Sequence, residues 1–292
     1  MIDVNVSLVI CTRNRGNRLG PCLDALCKLD PVPGFEIVFV DNGSTDGTRA
    51  ILDGFRCPFP VRVVEQPVPG LGRARNTGWR AARGAVIAFT DDDCYVHPDF
   101  AAQVARLFAA DPQLGFFGGR VMLHDPADLP VTIKESLREE RFPPYKFLIA
   151  GAVHGANFGF RRDVLEALGG FDERLGAGTR FAGEDTEMVG RALSAGYGGV
   201  YAPGPAVDHH HGRQMKSDLQ SLNRSYDFGR GAYYASMLRQ ATMRGQVMRH
   251  WLSTFPVSRR PRRTVEKIVS TCREIGGAVA YHRLGTAGGA DR

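Results

Sequence analysis

The first 110 residues of this 292-residue chain alternate short apolar runs with segments of helical period. The apolar runs cover residues 6–11, 35–40, 61–65 and 85–89, and the helical segments cover residues 18–29, 46–55, 72–83 and 98–110. Apolar runs separated by helices are typical of strands buried on both faces of a parallel sheet. The alternation therefore predicts an α/β fold, with a mostly parallel central sheet flanked by helices and right-handed βαβ crossovers.

After about residue 125 the alternation stops. Four prolines interrupt residues 125–149, and the charged segment between them predicts a helix over residues 134–141. Two more helices are predicted at residues 163–168 and 184–195, with a short strand at residues 199–201. From residue 213 onward the sequence is compatible with helix throughout, which predicts a C-terminal helical appendage.

Charge divides the chain at about residue 212. Residues 1–212 carry 22 basic and 26 acidic side chains, whereas residues 213–292 carry 15 basic and 5 acidic ones, a net charge of +10. The larger part is slightly acidic, so we expect no nucleic-acid partner. A hydrophobic fraction of 43% and a charged fraction of 23% exclude a disordered, collagen-like or multi-span membrane protein.

Six cysteines are scattered along the chain without a C-x-x-C pair. This spacing argues against a zinc site or a disulfide framework and indicates free thiols in a reducing compartment. The first residues lack the basic start of a signal peptide, and no uninterrupted apolar stretch approaches ~18 residues. We therefore expect a cytoplasmic protein.

Polar residues follow three of the predicted strands. They are Thr12, Arg13, Asn14 and Arg15 after the first strand, Asp41 after the second, and Asp91, Asp92 and Asp93 after the fourth. Ligands of open parallel sheets bind at the carboxyl ends of the strands, so these residues predict a binding site. Three adjacent carboxylates repel one another unless a cation lies among them, and oxygen ligands suit Mg²⁺ or Mn²⁺. A solvated acidic turn that caps a helix is the alternative.

Two further clusters lie in the second half. Glu184 and Asp185 begin a predicted helix, where acidic residues favour the helix dipole and where one carboxylate can serve as a general base. His209, His210 and His211 follow an apolar segment, and imidazole is a good ligand for Mn²⁺. Helix capping and structural histidines are the alternatives for these clusters.

Taken in order, these motifs resemble those of glycosyltransferase family 2 over roughly residues 5–212. VSLVICTRNR is similar to the family's opening strand and nucleotide-contacting loop, and EIVFVDNGSTDGT is similar to its second strand. GLGRARNTGWRAARGAVIAFTDDD is similar to the run into the metal-binding DxD motif. GANFGFRRDVLEALGGFDE and GEDTEM are similar to the acceptor-side segments with the catalytic carboxylate. The resemblance implies a GT-A fold with a nucleotide-binding half at residues 1–124 and an acceptor-side half at residues 125–212.

The resemblance also implies roles for single residues. Asp185 is expected to be the catalytic base, with Glu184 as the second candidate. Asp93 is expected to ligate Mn²⁺ or Mg²⁺, with His209 completing the site and His211 as the alternative ligand. The residues expected to bind the nucleotide sugar are Thr12, Arg13, Asn14, Asp41, Arg75, Asp91, Asp92 and Asn157. Arg13 stands where the family often has a tyrosine that stacks on the base; a guanidinium also stacks on aromatic rings, so the base stays unidentified.

The implied reaction is an inverting transfer of a sugar from a nucleoside-diphosphate sugar to an acceptor hydroxyl, in polysaccharide, glycolipid or other glycoconjugate synthesis. A UDP-sugar is the favoured donor, with GDP- and dTDP-sugars as alternatives, and the acceptor is a carbohydrate or is lipid-linked. A nucleotidyltransferase acting on a sugar phosphate is a second hypothesis, disfavoured because the loop after the first strand has no glycine before Gly16. A non-catalytic nucleotide-binding protein is a third, disfavoured by the intact aspartates.

The basic C-terminal region, residues 213–292, adds a separate expectation. It contains clustered arginines and nearby aromatic residues, namely Arg259, Arg260, Arg262 and Arg263 with Trp251 and Phe255. Such a region predicts contact with an anionic membrane surface, at the inner face of the membrane, that brings the active site to a lipid-linked acceptor. A solvated appendage packed on the core is the alternative.

Overall fold

The computed structural model describes residues 5–254 and 261–287. Every strand and helix predicted up to residue 110 is present, with ends displaced by no more than one or two residues. These elements are β1 (Val6–Thr12), α1 (Gly20–Cys27), β2 (Glu36–Asp41), α2 (Thr48–Gly54), β3 (Val61–Glu65), α3 (Leu71–Ala81), β4 (Val86–Asp91), β5 (Cys94–Val96) and α4 (Phe100–Ala110). Strand β5 is the one addition to the predicted set in this part of the chain.

The central strands are buried on both faces, as their apolar composition predicts. Alternate side chains of a strand point to opposite faces of the sheet. Leu8 and Ile10 of β1 accordingly pack in the core on one side, and Val9 between them packs in the core on the other side. All three side chains are fully buried. The sheet therefore lies between two hydrophobic cores, with its polar strand ends left at the edge.

The second half supplies further strands to the same sheet. Its elements before the C-terminal region are β6 (Leu114–Leu123), β7 (Glu140–Phe142), β8 (Asn157–Arg161), α5 (Arg162–Leu168), α6 (Glu184–Ser194) and β9 (Gly198–His209). In the described chain the strand order is β3-β2-β1-β4-β8-β6-β9-β5, and β7 pairs with β9. The pairs among β1 to β4 are parallel, but β8 runs antiparallel to both β4 and β6. The α/β fold is thus confirmed, with a sheet that is parallel in its first half and mixed in its second.

One local prediction in the second half is wrong, and another is correct in type but too short. The predicted helix at residues 134–141 is absent, because the backbone of Lys134 exchanges two hydrogen bonds with Val121 of β6 and residues 140–142 form β7. The predicted short strand at residues 199–201 is part of the much longer β9. In both cases pairing with distant strands, which local periodicity does not report, determines the structure.

Three helices follow β9: α7 (Lys216–Arg239), α8 (Arg244–Thr254) and α9 (Pro261–Ala287). Helix α7 packs against α6, and α9 packs along α7. A Cβ atom on Gly231 of α7 would lie 1.9 Å from the carbonyl oxygen of Glu274 on α9, so the two backbones approach closely. The predicted C-terminal helical region is therefore present and is docked on the rest of the protein.

Some features of this region lie outside the described residues. Phe255, Arg259 and Arg260 are among them, as are the side chains of Arg262 and Arg263. Among the helices that are described, none is both long enough and apolar enough to cross a membrane.

Candidate active site

A cavity of about 730 Å³ opens at the carboxyl ends of β1 and β4. Residues from both halves of the chain and from the C-terminal region line it. From the predicted set, those on its wall are Thr12, Arg13, Arg75, Asp91, Asp92, Asp93, Glu184, Asp185 and His209. Most of the predicted site residues, which come from five separate segments of the chain, therefore meet around one cavity.

The aspartates that follow β4 and the histidine that ends β9 form a compact group. Strand β5 pairs with β9 so that Cys94 lies opposite His209, which brings the ring of His209 next to Asp93. The Nε2 atom of His209 is 3.5 Å from Oδ1 of Asp93. One ligand atom each from Asp91, Asp93, Cys94 and His209 lie within 4.8 Å of one another.

This group fits a hard divalent cation. Two carboxylates and an imidazole suit Mg²⁺ or Mn²⁺, which prefer oxygen ligands and accept nitrogen. Burial raises the pKa of the Cys94 thiol well above its usual value, so this sulfur is a poor ligand. Burial also raises the pKa values of Asp91 and Asp92 to about 6, against the opposing charges of Arg75 and Arg15.

Arg15 lies in the polar loop after β1 but is not among the residues predicted to bind the nucleotide sugar or the metal. Its Nε atom lies 3.2 Å from Oδ1 of Asp92, and its Nη2 atom lies 3.3 Å from Oδ2 of Asp93. Its position two residues after Arg13, at the same strand end, was the available signal. Arg15 brings positive charge to the edge of the acidic group, on the wall of the cavity.

Arg75 is the buried centre of the site. It extends from α3, is 2% exposed, and lies with its guanidinium carbon 4.9 Å from the ring centroid of Phe158. Its Nη1 atom donates to Oε1 of Glu184, and its Nη2 atom donates to Oδ1 of Asp91 at 3.3 Å and to the carbonyl oxygen of Gly155 at 3.0 Å. These bonds tie β4 to the start of α6. Arg75 therefore contacts carboxylates of both halves of the site.

The two acidic residues that begin α6 have different environments. Glu184 is buried in its ion pair with Arg75, and burial raises its pKa to about 7 against the charge of Arg75. Asp185 is half-buried and lines the cavity, and its Oδ1 atom accepts a hydrogen bond from the amide of Thr186 at 2.7 Å. Within the described chain no cation is paired with Asp185. Of the two candidates for the base, both line the cavity, but Glu184 is held in an ion pair with Arg75.

The structure also separates the three histidines. His209 joins the acidic group, whereas the Nδ1 atom of His210 lies 2.9 Å from the hydroxyl of Tyr95. His211, the alternative metal ligand, accepts a hydrogen bond from the amide of Arg213 through Nδ1 and is 3.0 Å from the carbonyl oxygen of Leu129 through Nε2. Both ring nitrogens of His211 are engaged with backbone groups. The structure thus does not bring His211 to the candidate metal group.

Three predicted nucleotide-sugar residues lie off the cavity wall. Asn14 bridges two loops, since its Oδ1 atom accepts a hydrogen bond from the amide of Thr45 at 2.8 Å. Asp41 is buried and accepts from the amide of Ser44, and its neighbour Asn42 lines the cavity instead.

The third of these residues, Asn157, is fully buried in the sheet. Its Nδ2 atom donates to the carbonyl oxygens of Arg120 and Pro205, at 2.9 and 3.1 Å, and so links β8 to β6 and β9. The structure thus gives Asn157 a place in the sheet, off the cavity wall.

Part of the cavity wall consists of residues that the sequence did not predict to belong to the site. His154 lies there, and burial lowers the pKa of its ring although the charge of Asp185 opposes this. Asn223 and Tyr226 of α7 line the same space. Partial burial and the nearby charge of Asp185 raise the pKa of Tyr226 to about 12. Helix α7, in the region predicted to be an appendage, therefore forms part of the site.

Comparisons with known proteins agree with this fold. Glycosyltransferase AglE of Haloferax volcanii is 27% identical over 252 residues, which cover 82% of this chain and 76% of that protein. Validoxylamine A glucosyltransferase of Streptomyces hygroscopicus subsp. limoneus is 32% identical over 142 residues, and the putative glycosyltransferase EpsH of Bacillus subtilis is 29% identical over 170. The matched segments cover 48% of this chain and 31% of the former protein, and 56% of this chain and 48% of the latter.

Two solved structures have similar folds at low identity. The mannosyltransferase PcManGT from Pyrobaculum calidifontis, in complex with GDP-Man and Mn²⁺, has a TM-score of 0.64 at 20% identity, covering 98% of this chain and 80% of its own. S. aureus TarS in complex with UDP-GlcNAc has a TM-score of 0.61 at 18% identity, covering 83% and 69%. The family model "Glycosyl transferase family 2" matches residues 7–169, more than half of the chain. With its GT-A fold and this match, the chain belongs to glycosyltransferase family 2.

Proposed function

We propose that this glycosyltransferase moves a sugar, with inversion, from a nucleoside-diphosphate sugar to the hydroxyl of a carbohydrate or lipid-linked acceptor in the cytoplasm. One observation carries the proposal. The carboxylate of Asp185, which forms no ion pair within the described residues, lines the same cavity as the group formed by Asp91, Asp93 and His209. A base for the acceptor and a holder for the donor diphosphate are the two things that such a transfer needs.

Asp185 serves as the general base. Its carboxylate takes the proton of the acceptor hydroxyl while that oxygen attacks the anomeric carbon from the face opposite the leaving diphosphate. One carbon–oxygen bond forms and one breaks, the diphosphate leaves with the electron pair, and the configuration inverts. General-base help of this kind contributes about 10²–10⁴-fold to the rate. Glu184 is held by Arg75 and positions the start of α6.

Asp91, Asp93 and His209 would hold the cation, Mn²⁺ or Mg²⁺. When bound, such an ion neutralises charge that grows on the departing nucleoside diphosphate. Arg15, which already contacts Asp92 and Asp93, supplies a fixed positive charge at the same edge. The departing nucleoside diphosphate would thereby meet both a cation site and a guanidinium.

A UDP-sugar is the donor that we favour, with GDP- and dTDP-sugars as alternatives. Arg13 and Asn42 line the cavity at the ends of β1 and β2, where the base of the nucleotide would lie. The two similar structures are complexes with GDP-Man and Mn²⁺ and with UDP-GlcNAc, which supports a nucleotide-sugar donor. The acceptor would enter along α7, past Asn223 and Tyr226.

The substitution Asp185→Asn tests the base. Activity, measured as release of free nucleoside diphosphate from a panel of nucleotide sugars, should fall by about 10²–10⁴-fold. The thermal shift produced by UDP, GDP or dTDP with Mn²⁺ should stay as in the unaltered protein, because Asp185 binds the acceptor proton and not the nucleotide. The same screen identifies the base of the donor.

Asp163→Asn is the matched control. Asp163 stands in the first turn of α5 and accepts a hydrogen bond from the next amide, that of Val164, at 2.8 Å, as Asp185 does from Thr186. This control variant should keep full activity. Full turnover by Asp185→Asn would refute the base, and no shift with any nucleotide would refute the donor class. Release of pyrophosphate from a nucleoside triphosphate incubated with a sugar phosphate would indicate nucleotidyl transfer instead.

A further inference from the structure

Helix α9 carries an apolar stripe that faces solvent. Val265, Ile268, Cys272, Ile275 and Val279 follow one another at intervals of three and four residues. This spacing places side chains on one face of a helix over two heptads. The four aliphatic members are 45–60% exposed, and Cys272 is also exposed. We call these five residues the α9 stripe.

The opposite face of α9 is the one that holds it to the protein. Glu274 and Tyr281 are buried there, and a Cβ atom on Gly277 would lie 2.0 Å from the carbonyl oxygen of Phe228 on α7. The Tyr281 hydroxyl donates to Oδ2 of Asp172, in the loop between α5 and α6. Because α9 docks through this other face, no described part of the chain covers the α9 stripe.

Helix α8 also carries exposed apolar side chains. Met248 and Leu252, four residues apart, are 45% and 61% exposed. The indole of Trp251 on α8 donates to the carboxylate of Glu274 on α9, so the two helices are neighbours. Exposed aliphatic side chains grouped on neighbouring helices are typical of an interaction surface.

Charge decides between a lipid surface and a second copy of the chain as the occupant. Residues 213–292 have a net charge of +10. Two of their five acidic residues, Asp227 and Glu274, are paired internally with Arg230, and Asp227 also with Arg273. Pairing two such regions would bring like charges together, whereas an anionic bilayer attracts each Lys or Arg near its surface by about 1 kcal/mol.

We propose that the α9 stripe lies in the interface of an anionic membrane, with exposed basic residues of the C-terminal helices, such as Lys267 and Arg249, on the lipid headgroups. A helix with an apolar face and a basic surround binds in this way, parallel to the membrane plane. Helix α7, which packs along α9, lines the active-site cavity. Contact of the α9 stripe with a bilayer would therefore leave only α9 between the bilayer and the helix that lines the cavity. This proposal is independent of the donor, the acceptor and the catalytic base.

Co-sedimentation of the full chain with vesicles tests it. We expect binding to phosphatidylcholine vesicles that contain about 30% phosphatidylglycerol, little binding to pure phosphatidylcholine, and loss of binding in about 0.5 M salt. The double substitution Ile268→Gln with Ile275→Gln should weaken vesicle binding at least about tenfold. The matched control, Ile51→Gln with Leu137→Gln, removes exposed apolar side chains outside the C-terminal helices and should bind as the unaltered chain does.

A second variant tests the charges without touching the stripe. Lys267 and Arg249 are exposed on α9 and α8, and reversing both to Glu should weaken binding to the anionic vesicles about tenfold or more. Unchanged binding by either double variant would overturn the proposal, as would absence of binding by the unaltered chain. Sedimentation that shows a dimer broken by the Ile268→Gln, Ile275→Gln change would assign the stripe to a second copy instead.

Discussion

At the scale of single residues, Arg75 is the side chain on which the site depends most. It is enclosed by the rings of Phe89, Phe158 and Phe171 and bound to carboxylates from two elements. A buried charge is costly unless it is paired and hydrogen-bonded. Arg75 has both kinds of partner, so it can bring acidic residues of both halves together inside a low-dielectric region.

Replacing Arg75 by Met should therefore destabilise the protein by about 3–5 kcal/mol at about pH 8, where Glu184 is largely ionised, because this carboxylate would lose its buried counter-charge. The deficit should shrink from about pH 8 to about pH 5.5. Glu184 has a raised pKa, so protonation at lower pH removes the charge that Arg75 neutralises. Urea unfolding at several pH values measures both effects.

The double variant Arg75→Met, Glu184→Met is the companion measurement. It removes both charges and should recover a large part of the lost free energy of unfolding, as apolar replacements of buried ion pairs often do. A single Arg75→Met variant as stable as the unaltered protein, at every pH, would show that the pair contributes nothing to the fold.

At the scale of elements, the contact of α7 with α9 depends on glycines. Gly231 and Gly277 lie where each helix touches the backbone of the other, at distances that no Cβ atom tolerates. The local sequence does not predict this close helix contact, since glycine in a helix is usually unfavourable relative to alanine. The unfavourable propensity is compensated by the close packing that it permits.

Adjacent glycines on α9 make this testable. Gly277→Ala should destabilise the protein by about 1–3 kcal/mol, because its Cβ atom would overlap the carbonyl oxygen of Phe228. Gly276→Ala is the control, since its Cβ atom would meet only a ring carbon of Phe228 at 3.7 Å. That variant should be neutral or up to about 1 kcal/mol more stable. Chemical denaturation compares the two, and equal effects would contradict the close helix contact.

At the scale of the whole molecule, the C-terminal helices are bound to the rest of the described chain by buried polar contacts. The Tyr233 hydroxyl of α7 donates to the carbonyl oxygen of Leu148 at 2.8 Å, and Ser236 donates to Glu187 of α6 at 2.7 Å. A Cβ atom on Gly229 would lie 2.2 Å from the carbonyl oxygen of Ala182. The division at residue 212, predicted from charge, remains a prediction.

Truncation checks that division. A chain that ends after residue 212 should lose cooperative thermal unfolding, because it lacks Tyr233, Tyr234 and Met237 of α7, which share a hydrophobic core with α6. Loss of α7 also opens a wall of the cavity. A chain that ends after residue 254 keeps α7 and should still unfold cooperatively at a lower temperature. If the chain that ends after residue 212 unfolded cooperatively and kept the thermal shift produced by the nucleotide, residues 1–212 would instead be an independent domain.

The sequence by itself determined the alternation of strands and helices, the polar strand ends and the family, because periodicity and ordered motifs are local properties. It also predicted that these strand ends meet, since parallel strands share one edge. It ranked Asp185 above Glu184, and His209 above His211, only through the family resemblance. The contacts that distinguish the members of each pair come from the tertiary structure. Arg75 reaches Glu184 across 109 residues of chain, and β5 pairs with β9 to bring His209 beside Asp93.

The cavity wall formed by α7 was likewise decided only by tertiary packing. Tyr226 lies in a segment whose composition indicates a basic helix and nothing more. Its place beside Asp185 follows from the way α7 docks on α6, and that docking depends on shape complementarity between distant segments. Local sequence encodes the elements, whereas the partners of each side chain are determined by packing in three dimensions.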